Sequence, residues 1–338
     1  MSSDASLVDA ARAQEVFDEL PEEIRVASLS PEYVVADAAR DPSLHPVFLL
    51  WRSGAATLMH AVHEAAIPGE DACDWQSPYN YGGPLTAALD RAPLSAGWVA
   101  FEEVARARRI IAEFIRFHPV LANHHGYPGV VRADRPVVRV NLSVKNLLES
   151  YSGRARTAVR KALRNGLQLI WVSSQQARAV FPGFYREEMR RIGANDFYLF
   201  PDCYFEQLLA LRSARVFAVQ RDGELLAMGV FLFAPRIVEY HLSATSPAGR
   251  SVGATNLLVH GAAQAAQEGG FNVLYLGGGT DRRPDNPLLQ FKRSFGPAEL
   301  QFHFGSRVYA EKAYTALQGR LPELARSGRV LFYRGPSG

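Results

Sequence analysis

The chain has 338 residues, 48% hydrophobic and 21% charged, with a formal net charge of +3. That length suits two domains at about 100–200 residues each, and the composition excludes a disordered chain or one built of membrane spans. Two cysteines, Cys73 and Cys203, exclude a disulfide framework and a CxxC metal site, so a reducing, cytoplasmic setting is expected.

The N-terminal stretch MSSDASLVDAARAQEVFDELPEE is acidic and polar. It reads as a helical lead-in over residues 1–25, without the basic region and apolar run of a secretory signal. No apolar run reaches the roughly 18 residues of a membrane span. HPVFLLWRSGAATLMHAVHEAAI then reads as strand, Ser-Gly turn and strand. DWQSPYNYGGPL is a loop, and GWVAFEEVARARRIIAEFIRFHP is an amphipathic helix stopped by Pro119. VVRADRPVVRVNL reads as a hairpin. These elements make a first unit over residues 26–145.

The second unit spans residues 146–315. A helix through RTAVRKALRN stops at Asn165-Gly166, and LQLIWV is a short strand. FPGFYREEMRRIGA and PDCYFEQLLALR are helices. VFAVQRDGELLAMGVFLFA is a hairpin turned by Asp222-Gly223, a dipeptide suited to a type I′ turn. RIVEYHLSAT is the next strand, and SPAGRSVGATNLL is a glycine-bearing loop opening a helix. FNVLYL, the glycine triplet Gly277–Gly279, FKRSFG and ELQFHFGSRVY complete it. Residues 316–338 are a C-terminal helix and tail.

Few motifs carry chemistry. Glycine triplets mark close approach of backbone to something else, and the one here leads to Lys292 on a loop, where a point charge could meet a phosphate or carboxylate. Arg250, Gly253, Ala254 and Thr255 lie close to the Arg/Gln-x-x-Gly-x-Gly/Ala loop with which GNAT acyltransferases hold a coenzyme A pyrophosphate at a helix N-terminus; Thr255 departs from that pattern. Tyr79 and Tyr81 on the Gly-Gly-Pro loop could line a ligand groove. On the strand EYHLSAT, alternation sends Glu239, His241 and Ser243 to one face and Tyr240 to the other. That spacing does not make a nucleophile triad, and neither a GxSxG elbow nor a P-loop is present. RARTAVRKALR holds five basic residues and no acid, a helix face that could meet a polyanion such as RNA.

Taken together, SPYNYGGPL, RTAVRKALRNGLQL, GATNLLVHGAAQAAQEGG, LYLGGG and FKRSFG, spread over residues 45–310, resemble the Fem-type (FemAB-like) aminoacyltransferases of the GNAT superfamily. The resemblance implies an α/β fold of two tandem GNAT-like units, with mixed sheets flanked by helices. It also implies an acyltransferase that moves an aminoacyl group from aminoacyl-tRNA to an amine, on a cell-wall precursor or a natural-product intermediate. In that family the lysine of the FK…FG motif contacts phosphates, which assigns Lys292 to substrate binding beside Arg293, Tyr79, Tyr81 and Gly277–Gly279. The long helical arm of some Fem proteins is not evident here. An aminoacyl ester is already activated, so no cofactor and no metal are expected. The reaction needs an oxyanion site and a proton acceptor, for which Glu239, Tyr240, His241 and Asp281 are the candidates. The alternative reading is an N-acyltransferase using acetyl-CoA or another acyl-CoA, with Arg250, Gly253, Ala254 and Thr255 holding the donor. A third is a GNAT-fold binding module without chemistry.

Overall fold

The computed structural model describes residues 6–87 and 92–334. These fall into two compact units, one of residues 1–134 and 302–338 and the other of residues 135–301. The first unit opens with β1 (Ser6–Val8), α1 (Ala10–Glu19), α2 (Pro31–Ala38), β2 (His45–Ser53) and β3 (Ala56–Ala66). β4 (Cys73–Gln76), β5 (Gly83–Thr86), α3 (Ala92–Ala107) and β6 (Ile110–Arg116) follow. The strand order is β1-β2-β3-β4-β6, and β5 also pairs with β3. Gly54 at the β2–β3 turn has φ +57°, the left-handed first position of a type II′ turn, where glycine is unstrained.

The single helix expected through GWVAF…HP is in fact α3 followed by β6. The chain reverses at Arg109, which adopts φ +56°. The physical reason lies in IIAEFI: buried on both faces, it satisfies helix and strand spacings alike, and parallel pairing with β4 decides the outcome. Trp98 and Phe101 of α3 share a core with Trp51 of β2 and Trp75 of β4, and all four are nearly inaccessible. This core also encloses a polar network. Glu113 meets His60 Nε2 at 2.6 Å and accepts from the hydroxyls of Tyr127 at 2.8 Å and Tyr309 at 3.1 Å.

β7 (Val130–Asn141) is one continuous strand, not the expected hairpin. RADRP has no residue with the positive φ that a two-residue turn demands. The second unit continues with α4 (Leu147–Ser150), α5 (Gly153–Arg164), β8 (Gln168–Val172), α6 (Ser174–Arg191) and α7 (Asp202–Ala210). Then come β9 (Ala214–Arg221), β10 (Glu224–Phe233), β11 (Ile237–Thr245), α8 (Pro247–Val252) and α9 (Ala254–Glu268). β12 (Val273–Gly278) and α10 (Pro287–Arg293) end it. Here the order is β7-β12-β11-β10-β9-β8. The β9–β10 turn carries Asp222 at φ +52° and Gly223 at φ +82°, both left-handed as type I′ requires. α5 closes as a Schellman motif: Gly166 at φ +74°, Gly166 N donating to Leu163 O at 3.0 Å, and Leu167 N donating to Ala162 O at 3.2 Å. α5 and α9 cover one sheet face, and α9 buries Leu257, Leu258, Val259, Ala262, Ala263 and Ala266. β13 (Ala298–Val308) then pairs with β6 through Phe304–Val308, and α11 (Glu311–Arg320) and α12 (Pro322–Ala325) complete the first unit.

Glycines that permit backbone contact hold this frame tightly. A Cβ on Gly296 would sit 2.1 Å from Arg139 O, whereas one on Gly183 in α6 would meet nothing within 4 Å. Gly296→Ala should therefore cost about 3 kcal/mol through backbone displacement. Gly183→Ala should stabilise by about 0.5–1 kcal/mol through helix propensity. Urea unfolding of the two variants checks the pair; equal effects would contradict the packing.

Candidate functional site

β11 and β12 are parallel neighbours for only three residue pairs, Ile237–Val273, Val238–Leu274 and Glu239–Tyr275. β11 continues to Thr245 and β12 to Gly278 without further pairing to each other. Each strand bulges where they part. The β10–β11 register slips so that Val230 opposes Leu242 and Phe231 opposes Tyr240, leaving His241 extra. The β7–β12 register slips so that Tyr275 opposes Arg139 and Gly277 opposes Val138, leaving Leu276 extra. Bulges bend a strand and re-aim its side chains. The expected alternation therefore fails: Tyr240 does not face away from Ser243, because the extra residue lets the two hydroxyls hydrogen-bond. Tyr240 also stacks on Phe231 with ring centroids 5.1 Å apart, and burial raises its pKa. His241 Nε2 meets the buried Tyr204 hydroxyl at 2.9 Å. Glu239 is buried on the paired part of β11.

The glycine triplet lies across the parting. Gly277 has φ +76°, and a Cβ there would lie 3.4 Å from Lys292 Nζ. A Cβ on Gly279 would come 2.5 Å from Asn286 Oδ1. Asn286 is itself buried: its Oδ1 accepts from Leu288 N and Leu289 N, both at 3.1 Å, and its Nδ2 donates to Thr280 Oγ1 at 2.8 Å. It is the N-cap of α10, with Pro287 at the first helical position. Lys292 thus sits on a short helix and not, as expected, on a loop. The Asn-Pro pair before an apolar run was the signal for it.

Lys292 is 9% exposed, and its Nζ donates to Gly278 O at 2.8 Å. Among the described residues no carboxylate pairs with it. Burial without a counter-ion pushes its pKa down to about 7. Arg293, by contrast, is committed to the fold through Glu299 at 2.5 and 3.0 Å and Pro284 O at 2.9 Å. Asp281 accepts from Arg283 N at 2.9 Å and Arg283 Nε at 3.0 Å, and Arg283 holds its carboxyl below the usual range.

The glycine loop after β11 is helical. Ser246 caps α8, its Oγ accepting from Gly249 N at 3.1 Å and its carbonyl from Arg250 N at 2.9 Å. Gly249 allows this by its fit against β10, where a Cβ would meet Leu226 O at 2.2 Å. Arg250 is exposed but tied to the fold: Nη1 donates to Thr245 O at 2.7 Å and Nη2 lies 3.5 Å from the buried Glu188. Gly253, at φ +82°, begins α9 without a side-chain cap. Ala254 is buried, and Thr255 Oγ1 meets Thr245 Oγ1 at 2.9 Å.

Tyr79 and Tyr81 lie in the first unit. There the parallel pair β4–β6 does not open. Ser77 Oγ accepts from Arg116 N at 2.6 Å, and Gly82 bridges Phe117 beyond the excursion 78–81. Buried Asp37 accepts from Tyr79 N at 2.8 Å, Arg116 donates to Pro78 O at 3.0 Å, and Tyr81 packs edge-on against His118. The second unit alone therefore brings predicted residues to parted strands: Tyr240, Gly277, Gly278 and Lys292. Sequence reasoning missed Tyr204, Glu188 and Asn286, and of these only Asn286 carried a local signal.

Residues 150–293 match the family model described as an acetyltransferase (GNAT) domain. No curated protein matches the sequence. Among solved structures the fold is similar to that of FemX, with TM-score 0.71 and 15% identity over 93% of this chain and 100% of that one. It is similar to the C-terminal domain of a putative lysylphosphatidylglycerol synthetase from Agrobacterium fabrum, with TM-score 0.59 and 16% identity over 93% and 97% of the two chains. A tandem GNAT protein from the clavulanic acid biosynthesis pathway gives TM-score 0.53 and 12% identity over 91% and 99%. Two compact units with a mixed sheet flanked by helices agree with these likenesses. Residues 150–293 thus match a GNAT acetyltransferase domain, and the fold of the chain is similar to that of FemX and of the tandem GNAT protein.

Proposed function

We propose that the protein transfers an aminoacyl group from aminoacyl-tRNA to an amine, with the parted ends of β11 and β12 as the site of chemistry. The observation that carries this reading is Lys292, a buried cation with one carbonyl partner beside the point where β11 and β12 stop pairing. The amine attacks the ester carbonyl and a tetrahedral oxyanion forms. Its collapse makes the amide bond and expels the ribose oxygen, which takes a proton while the amine loses one. Lys292 binds the anionic part of a substrate, and the Tyr240–Ser243 hydroxyl pair relays the proton. Asp281, held by Arg283, and His241, held by Tyr204, are less available for that task. Because the ester is activated already, the reaction calls for no cofactor. Charged tRNA as donor places the protein in the cytoplasm; no helix among the described residues is long and apolar enough to cross a membrane.

A nucleic-acid donor is favoured by α5. Arg154, Lys161 and Arg164 are exposed on it with no acidic partner among the described residues, while Arg156 and Arg160 share Glu149. Such a face neutralises phosphates and releases counterions. The second reading, an acyl-CoA donor, is favoured by the uncapped N-terminus of α9, whose free N–H groups could hold a pyrophosphate. Its weakness is Arg250, whose guanidinium is engaged by Thr245 O and Glu188.

Amide formation from charged tRNA and an amine acceptor should stop on RNase treatment, and product that survives RNase would sink the tRNA reading in favour of acyl-CoA. Tyr240→Phe should lower kcat by about 10²-fold with little change in KM. The Lys292 titration gives a further test. Its folded pKa near 7 lies below the ordinary 10.5, so between those values the unfolded chain holds the extra proton and stability rises with pH. Wild type should gain on Lys292→Met by up to about 1.4 kcal/mol per pH unit across that window. Urea unfolding at about pH 7 and about pH 9 measures the gain; a constant difference between the two proteins would remove the buried-lysine account.

A further inference from the structure

The first unit carries a groove of about 480 Å3 that no step of the proposed reaction uses. Its walls are the start of β7, the end of β13 and the C-terminal helices, and its polar lining includes Arg132, Arg307, Arg329, Glu311, Tyr314 and Ser306. The volume falls within the roughly 300–1,000 Å3 of small-molecule sites.

Charge in the groove is lopsided, with three guanidinium groups facing one carboxylate. Arg307 donates to Glu102, but Glu102 also accepts from Arg106, so one carboxylate serves two cations. Arg307 is fixed over the Tyr309 ring, 4.9 Å from its centroid, and its Nη1 is buried without a hydrogen-bond partner. Arg132 is exposed and has no acidic partner among the described residues. The walls are held in place. A Cβ on Gly129 would come 2.4 Å from Ser306 O, so the approach to β7 lies directly on β13. Tyr314 donates its hydroxyl to Val330 O at 2.8 Å, which ties α11 to the segment after α12.

We propose that this groove binds a small organic phosphate, as a second anion site located in the first unit. Guanidinium groups pair with phosphate through two parallel N–H···O bonds, and a lining in which they outnumber carboxylates suits a phosphate. The remaining volume accommodates the organic part. Glu311 is the one unfavourable group and tunes affinity downward.

Calorimetric titration of the full chain tests this, with ADP as the organic phosphate, inorganic pyrophosphate as the bare anion and adenosine as the uncharged control. ADP and pyrophosphate should bind saturably, more weakly as salt is raised, and adenosine should not. Arg132→Gln combined with Arg329→Gln should weaken ADP at least tenfold; both side chains are exposed, so folding is spared. Glu311→Gln should tighten it severalfold. Lys292→Ala should leave it within about twofold. ADP affinity unchanged in the double arginine variant, lost in Lys292→Ala, or absent at millimolar concentration in the wild type would each overturn the proposal.

Discussion

The second unit is organised by where one parallel ladder stops. Three pairs join β11 to β12 before a bulge in each strand turns them apart. Parallel strands carry evenly spaced hydrogen bonds with partners on both sides, so an early stop leaves peptide groups that other elements must satisfy. Gly277 makes the turn possible with its left-handed φ, and the next carbonyl, Gly278 O, receives Lys292. For the lysine to arrive, α10 must start immediately after the loop. Asn286 does this by capping α10 while packing on Gly279. The chain then leaves past Arg139, where Gly296 permits backbone contact. Glycine triplet, Asn-Pro cap, buried lysine and Phe-Gly exit are parts of one construction around that stop.

A single carbonyl is poor compensation for a buried ammonium. Removing a cation from water is expensive unless it is paired and hydrogen-bonded, and the depression of the Lys292 pKa to about 7 expresses that imbalance. The same imbalance prepares the residue for an anion. A phosphate or carboxylate reaching Nζ favours the charged form, so ligand binding near neutral pH draws a proton onto Lys292. A lysine already held by a carboxylate, as Arg293 is by Glu299, would gain far less.

The sequence disclosed what local chemistry dictates. Asp222-Gly223 announced its turn because only residues tolerating positive φ serve there, and Asn165-Gly166 announced the end of α5 for the same reason. The two-unit α/β architecture was legible because strand and helix spacings recur in the same order in both halves. What local chemistry leaves open was misread. IIAEFI fits a helix or a strand, and only β4 decides between them. The Tyr240–Ser243 contact depends on a register slip against β10 that no single-strand pattern reveals. Glu188 became visible only once α6 brought it to Arg250.

The two units differ in how they treat a parallel pair that meets an irregular segment. Both contain a parallel pair that meets an irregular segment, β4–β6 in the first and β11–β12 in the second. In the first, Ser77 hydrogen-bonds across the gap, Gly82 restores pairing at Phe117, and buried Asp37 and Arg116 pin the excursion between them. Main-chain groups there are already spent. In the second, pairing never resumes, and a cation stands where the next bond would be. An oxyanion site needs donors that are fixed in place yet not consumed by the fold. Closing the gap in one unit spends such groups on the fold, whereas in the other the two strands part beside Lys292. On this reasoning the first unit's Tyr79 and Tyr81 are held by the framework that closes its sheet, and the search for catalytic groups narrows to the two strand ends that stay apart.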